Sequence, residues 1–381
     1  MFNKIKYILV LGLALSIFTV GCSKTVDPKS VVANKISNEP IKVGAIIMQT
    51  GVAAEYGTYQ MEGIKLALEK IKKNGGVKGR EIKMIYEDTK CDAKEGASAA
   101  TKLINIDKVD LLLAFECSGP TVSAVPVAQS NKKPMLVALA TAPKIASKGD
   151  YIFRLSPSDT AQGKDLAKAV SPEVYKQTAI VYTNNDYGVG IKNTFSNHYR
   201  GSVVASEAVA ADAADFKAQL TKIKNTNPQA VLVVLAGKQY PIFFKQAQEL
   251  GLKVAWFSTE SFKDKKNLTK VGSYIEGLKL TSYSPADTDE RKAFLEGMKK
   301  KYNKEPGTYA DFGYDGIMVA AQVLEKALDK GGLSSDNIKS AMQSVYYKGA
   351  TGITEFDDDG EVKEKPFTLY EVKNSDFVEV K

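Results

Sequence analysis

The feature that most constrains this chain is an alternation of short apolar runs with helical periodicity, each run breaking off into small polar residues. Residues 109–115 (VDLLLAF) and 135–139 read as buried strands, and they lead into Cys117-Ser118 and Ala140-Thr141. Strands that are apolar throughout, rather than alternating, belong to parallel sheets covered on both faces. In an open parallel sheet the carboxyl ends of neighbouring strands border one crevice, and small ligands bind there. Two hydroxyls and several backbone N–H groups then converge on one spot.

The pattern begins with a strand at residues 41–47 and a helix that places Met61, Ile64, Leu68 and Ile71 on one face and stops at Gly75-Gly76. A strand at 82–86 and a helix around Ala97, Ala100 and Ile104 follow. A second unit repeats the scheme, with strands at 178–183, 230–236 and 254–257 and helices near 191–199, 216–223 and 241–250. Helical periodicity then occupies 287–302, 315–328 and 335–344, and residues 352–380 read as short strands around an Asp358-Asp359-Gly360 turn. With 381 residues the chain has room for two domains with separate cores, and the alternation predicts a doubly wound α/β architecture.

Residues 1–21 are an address. Lys4 and Lys6 precede an apolar stretch too short to serve comfortably as a membrane span, and small residues lead to Cys22. This resembles a bacterial lipoprotein signal in which Cys22 carries the lipid, with Thr19 where leucine is usual. The alternative is an ordinary cleaved signal with an incidental cysteine. Residues 22–40 are polar, contain Asp27-Pro28 and Glu39-Pro40, and read as a tether. Setting Cys22 aside leaves Cys91 and Cys117, which an exported protein can oxidise to a disulfide.

Removal of residues 1–21 takes away two lysines and no acids, so the charge falls from +8 to +6 (8 − 2). The lysines are dispersed among acids without interleaved aromatics, which argues against nucleic acid. His198 is the only histidine, so multi-histidine metal sites are excluded, and a histidine triad would need His198, with which no acid or nucleophile is placed. No nucleophile elbow or phosphate loop occurs. The acidic run Asp357-Asp358-Asp359-Gly360 lacks the closing glutamate of a calcium loop and reads as a turn. A binding protein without catalytic chemistry, cofactor or metal is the expectation.

Taken in order, Gly75-Gly76-Val77-Lys78-Gly79-Arg80, Tyr86-Glu87-Asp88, Cys91-Asp92, Cys117-Ser118, Ala140-Thr141-Ala142-Pro143 and Asp186-Tyr187-Gly188 resemble, in sequence and spacing, one known family. It is the leucine/isoleucine/valine-binding family of ABC-transporter solute receptors, and the resemblance covers about residues 41–381. It implies a type I periplasmic-binding-protein fold: two Rossmann-like lobes joined by three crossovers, near 155–158, 283–286 and 352–356. The first lobe would comprise 41–156 and 286–352, the second 157–285 and 353–381, with the ligand between them.

The resemblance also assigns roles. Ser118 would bind the α-carboxylate of an amino acid, the competing role being a cap for the following helix. Thr141, with backbone at Leu139 and Ala140, would bind carboxylate and ammonium; Glu260 would pair with the ammonium, and Tyr187 would close over the ligand. Tyr56, Glu116 and Tyr309 would line the side-chain pocket. Glu116 departs from the family, whose hydrophobic receptors are apolar there. It implies a polar or cationic ligand side chain, or a carboxylate turned to solvent. Residues 237–240 have no clear counterpart.

The function implied is that of an exported, lipid-anchored monomer that captures an amino acid and passes it to a membrane ABC permease. The alternatives are a ligand-sensing module for a membrane signalling partner, or a receptor for a small carboxylic acid or amide.

Overall fold

The computed structural model describes residues 39–145, 150–284, 286–363 and 365–380. The signal, Cys22 and nearly all of the tether lie outside the described residues. No helix among the described residues is long and apolar enough to cross a membrane.

The first sheet is parallel throughout, with strand order β2-β1-β3-β4-β5. Its strands are β1 (Ile41–Ile47), β2 (Ile82–Asp88), β3 (Leu111–Phe115), β4 (Met135–Val137) and β5 (Ile152–Arg154). β3 and β4 are buried at every position, as expected of strands covered on both faces. On one face lie α2 (Gly96–Thr101), continued by a π-helical turn, and α3 (Ser118–Ser130). On the other lie α1 (Ala54–Lys73), α9 (Asp289–Tyr302), α10 (Ala310–Asp329) and α11 (Ser335–Gln343). Helix α1 meets α10 so closely that a Cβ on Gly63 would stand 1.9 Å from the Ala310 carbonyl oxygen, so only glycine fits there.

The second sheet has strand order β14-β13-β10-β9-β8-β6-β7. Five strands are parallel: β6 (Gln177–Thr183), β7 (Ser202–Val209), β8 (Ala230–Val234), β9 (Ala255–Ser258) and β10 (Lys279–Tyr283). An antiparallel hairpin, β13 (Phe367–Lys373) and β14 (Asp376–Glu379), closes one edge. One core beneath it holds α4 (Asp159–Ala169) and α5 (Asp186–His198). The opposite core holds α6 (Lys217–Asn225), α7 (Gln239–Glu249) and α8 (Lys265–Val271).

The chain passes between the sheets three times: from β5 to α4, from β10 to α9, and after the small hairpin β11 (Tyr347–Gly349) and β12 (Gly352–Thr354), on to β13. The stretch after β12 is longer than expected. It holds the Asp357 turn, in which Gly360 N–H donates to Asp357 O at 3.1 Å and one bridge joins Phe356 to Val362. The true edge hairpin turns at Asn374-Ser375, both at positive φ, where no glycine marks the turn. Several elements escape the periodicity reading, α8 and β11 among them. β5 is three residues long, β7 is a half-exposed edge, β10 carries buried Thr281 and Ser282, and α4 buries Asp159 and Gln162.

Candidate functional site

The parallel strands of both sheets end toward one cavity. From the first sheet it is lined by Met48 after β1, Glu116 to Ser118 after β3, and Leu139 to Thr141 after β4. From the second it is lined by Asn185 and Tyr187 after β6, Ala236 and Gln239 after β8, and Glu260 and Ser261 after β9. All nine residues expected to bind ligand line it: Tyr56, Glu116, Ser118, Leu139, Ala140, Thr141, Tyr187, Glu260 and Tyr309.

The first-sheet wall gathers neutral hydrogen-bond donors. Cys117 in extended conformation is the N-cap of α3, and its side chain makes no cap hydrogen bond. Ser118 is therefore the first helical residue and not the cap. Its Oγ accepts instead from Thr141 N–H at 3.3 Å and Ala142 N–H at 3.2 Å. The opening N–H groups of a helix have no intrahelical acceptor and carry partial positive charge. Ser118 and Thr141 are only 3% and 4% exposed, so an anion placed there is shielded from water.

The opposite wall carries a buried acid. Glu260, 3% exposed, accepts from Gln162 Nε2 at 2.5 Å, Tyr187 OH at 3.2 Å and Tyr309 OH at 3.2 Å. None of these donors is charged, and among the described residues no lysine or arginine lines the cavity. Burial pushes the Glu260 carboxyl above its ordinary range, while the Gln162, Tyr187 and Tyr309 donors oppose the rise. Asp159, fully buried on α4, is held far above the usual carboxylate range by burial, and the charge of Glu260 adds to the shift. An unpaired buried carboxylate is costly, so a cationic group entering here gains a partner and relieves that cost.

The side-chain end is closed by aromatics. Tyr309 sits at φ +70°, left-handed backbone that bulky residues rarely adopt, directly before α10. Its ring meets Tyr56 edge-on, centroids 5.2 Å apart. Tyr56 crosses between the halves: its OH donates to Ser261 O at 2.9 Å and accepts from Gly237 N–H at 2.8 Å. The loop that had no clear counterpart thus supplies a backbone donor to the first-sheet tyrosine. Lys266 adds a second link, pairing with Glu55 and Tyr59 of α1.

Glu116 does not turn to solvent; that expectation is corrected by its 0% exposure. Its Oε1 accepts from Cys117 N–H at 2.7 Å and its Oε2 from the buried Thr89 hydroxyl. Burial pushes its carboxyl up from 4.5 to about 7, against the opposing pull of those two donors.

Cys91 and Cys117 form the expected disulfide, and both line the cavity. It ties the loop after β2 to the cap of the α3 helix that carries Ser118. Replacing both cysteines with serine should lower stability by about 3 kcal/mol, from the chain entropy of a closed loop with a sequence separation of 26. Equal melting temperatures for wild type and the double variant would show that packing alone holds this loop.

Gln162, Asp159, Thr89 and Gln239 were not foreseen. Gln239 anchors the second-sheet loop, accepting from Thr183 Oγ1 at 3.2 Å and Ala236 N–H at 3.3 Å. A polar residue on an amphipathic helix reads as solvent-facing, and only the packing of α4 against β10 buries Gln162.

The profile of the family described as "Periplasmic binding protein" matches residues 40–376. The chain belongs to that family. Its relatives include the "Leucine-, isoleucine-, valine-, threonine-, and alanine-binding protein" of Pseudomonas aeruginosa, 28% identical over 339 residues, covering 87% of this chain and 90% of that protein. The Leu/Ile/Val-binding protein of Escherichia coli is 24% identical over 347 residues, 89% of this chain and 92% of that one. Among solved structures, the substrate binding protein LivJ of Streptococcus pneumoniae, in complex with isoleucine, is 28% identical with a TM-score of 0.77, covering 90% of this chain and 100% of that one. The leucine binding protein LivK of Thermotoga maritima is 26% identical with a TM-score of 0.80, covering 90% and 98%. The fold is the type I periplasmic-binding-protein fold, and the family is one of solute receptors.

Proposed function

We propose that this protein is an exported receptor that binds a free amino acid as a zwitterion and delivers it to a membrane ABC permease. The observation that carries this reading is the opposed chemistry of the two walls. Neutral N–H and O–H donors gather at Ser118 and Thr141, and a buried acid without a cationic partner stands at Glu260. A zwitterion satisfies both at once. A carboxylic acid without an ammonium leaves Glu260 unpaired, which disfavours that alternative.

The halves 41–156 with 286–352 and 157–285 with 353–381 act as hinged lobes. Tyr56, Tyr309 and Lys266 join them in the closed form, and the permease reads closure. Cys22 bears the lipid that keeps this monomer at the membrane. Glu116 favours a ligand side chain that can donate a hydrogen bond. Threonine meets this demand and occurs in the name of the Pseudomonas relative. A thermal-shift screen of the purified protein against the standard amino acids and benzoate tests the reading. The largest stabilisation is expected from threonine; stabilisation by benzoate and by no amino acid would overturn it.

A further inference from the structure

The loop that carries Thr141 is gripped from behind by a side chain outside the cavity lining. Arg154, the last residue of β5, is 0% exposed. Its Nη1 donates to two successive carbonyls, Thr141 O at 2.8 Å and Ala142 O at 2.7 Å. Its Nε donates to Glu361 Oε2 at 2.9 Å, and Nη2 pairs with the other carboxylate oxygen of Glu361. Arg154 N–H also donates to Gly360 O at 2.8 Å. A Cβ on Gly360 would stand 2.2 Å from Ile152 O, so the close approach of this segment to β5 requires glycine. A buried guanidinium needs such pairing, and its planar fork suits a two-pronged carboxylate on one side and two carbonyls on the other.

The hydrogen bonds continue toward the ligand. The peptide between Thr141 and Ala142 accepts from Arg154 at its carbonyl and donates through Ala142 N–H to Ser118 Oγ. Thr141 N–H donates to the same oxygen. A serine hydroxyl has two acceptor positions and one proton. With both acceptor positions filled from the loop, the proton is left to be donated elsewhere, and Ser118 lines the cavity. A cation on the carbonyl strengthens the amide as a donor, and successive hydrogen bonds polarise one another.

We propose that Arg154 is a positioning residue for the ligand carboxylate, acting through the Thr141-Ala142 peptide on the Ser118 hydroxyl, with Glu361 fixing the guanidinium. This rests on the amino-acid reading of the cavity. It also assigns a task to the connection between β12 and β13: holding Glu361 in place from the segment that links the two sheets.

The test compares L-threonine with L-threonine amide, which keeps the ammonium and loses the anion, by calorimetry on wild type, Arg154→Lys and Glu361→Gln. Glu361→Gln leaves the buried guanidinium with a neutral acceptor, so it is the variant expected to fold if Arg154→Lys does not. Wild type should prefer the free acid. Each variant should lose about tenfold in affinity for it, the scale of one charge-assisted hydrogen bond, with a much smaller change for the amide. In a Ser118→Ala background the Glu361→Gln loss should shrink, because the relay then has no end. Equal losses for acid and amide, unchanged affinities, or losses that simply add to that of Ser118→Ala would overturn the proposal, leaving Arg154 as a buried structural pair. Stabilisation of wild type by no amino acid in the thermal-shift screen would overturn the amino-acid reading itself, and this inference with it.

Discussion

Glu260→Gln should remove high-affinity binding of the free amino acid while leaving the protein folded and at least as stable. The carboxylate is replaced by a neutral group of the same shape that can still meet the Tyr187 and Tyr309 hydroxyls. What disappears is the only charge that the described residues place at that wall of the cavity. Truncating one member of an enclosed charge pair typically costs about 2–5 kcal/mol, or roughly 30-fold to several-thousand-fold in affinity. Calorimetry on both proteins reads this directly, and wild-type affinity in the variant would remove Glu260 from the site.

The stability arm has a definite sign. Burial raises the folded-state pKa of Glu260 above its unfolded value, so between those two values the folded protein holds more protons than the unfolded one. Stability of the unliganded protein therefore declines as pH rises through that window, and the deficit remains at higher pH. Glutamine has no such deficit. The unliganded variant should melt at or above the wild-type temperature at pH 8, whereas saturating ligand should reverse the ranking. Ligand stabilises the folded state in proportion to its affinity, and the variant has little. The same acid thus weakens the empty receptor and strengthens the loaded one, which is the energetic form of a ligand-driven switch.

Much of this was legible because parallel strands announce themselves. β1, β3 and β8 are apolar runs whose burial is fixed by covering layers on both faces, and each stops where the backbone emerges into the cavity. The residues after such strands are therefore readable as site candidates, and Ser118 and Thr141 were found in this way, whereas Glu260 came from the resemblance to the receptor family. Arg154 and Gln162 were not legible from pattern. Their neighbours Glu361 and Glu260 lie 207 and 98 residues away in sequence, so no local periodicity records the pairing. Gly237 escaped for a related reason: its contribution is a backbone N–H aimed at Tyr56, and a backbone donor has no sequence signature.

Glu116 should make ligand choice depend on pH, and its removal should change that choice. The carboxyl is fully buried and pushed up from 4.5 to about 7, a displacement equivalent to about 3 kcal/mol favouring the protonated form. An aliphatic side chain seated against it adds further desolvation and raises the pKa again. Leucine binding then takes up a proton, so leucine affinity should fall as pH rises above 7, by up to about tenfold per pH unit. A ligand hydroxyl that donates to the carboxylate has the opposite linkage: it holds the pKa down, and threonine affinity should be maintained or improve over the same range. Glu116→Leu removes the titrating group and frees the Thr89 hydroxyl and Cys117 N–H that it accepts from. Leucine affinity in this variant should no longer fall as pH rises above 7 and should exceed wild type at pH 8 by about tenfold, while threonine affinity drops by a similar factor as its acceptor is lost. Calorimetry with both amino acids at pH 6, 7 and 8 separates the possibilities. If leucine affinity is independent of pH in wild type and unchanged by Glu116→Leu, then Glu116 serves only to hold Thr89 and Cys117, and the selectivity of the pocket is set by Tyr56 and Tyr309 instead.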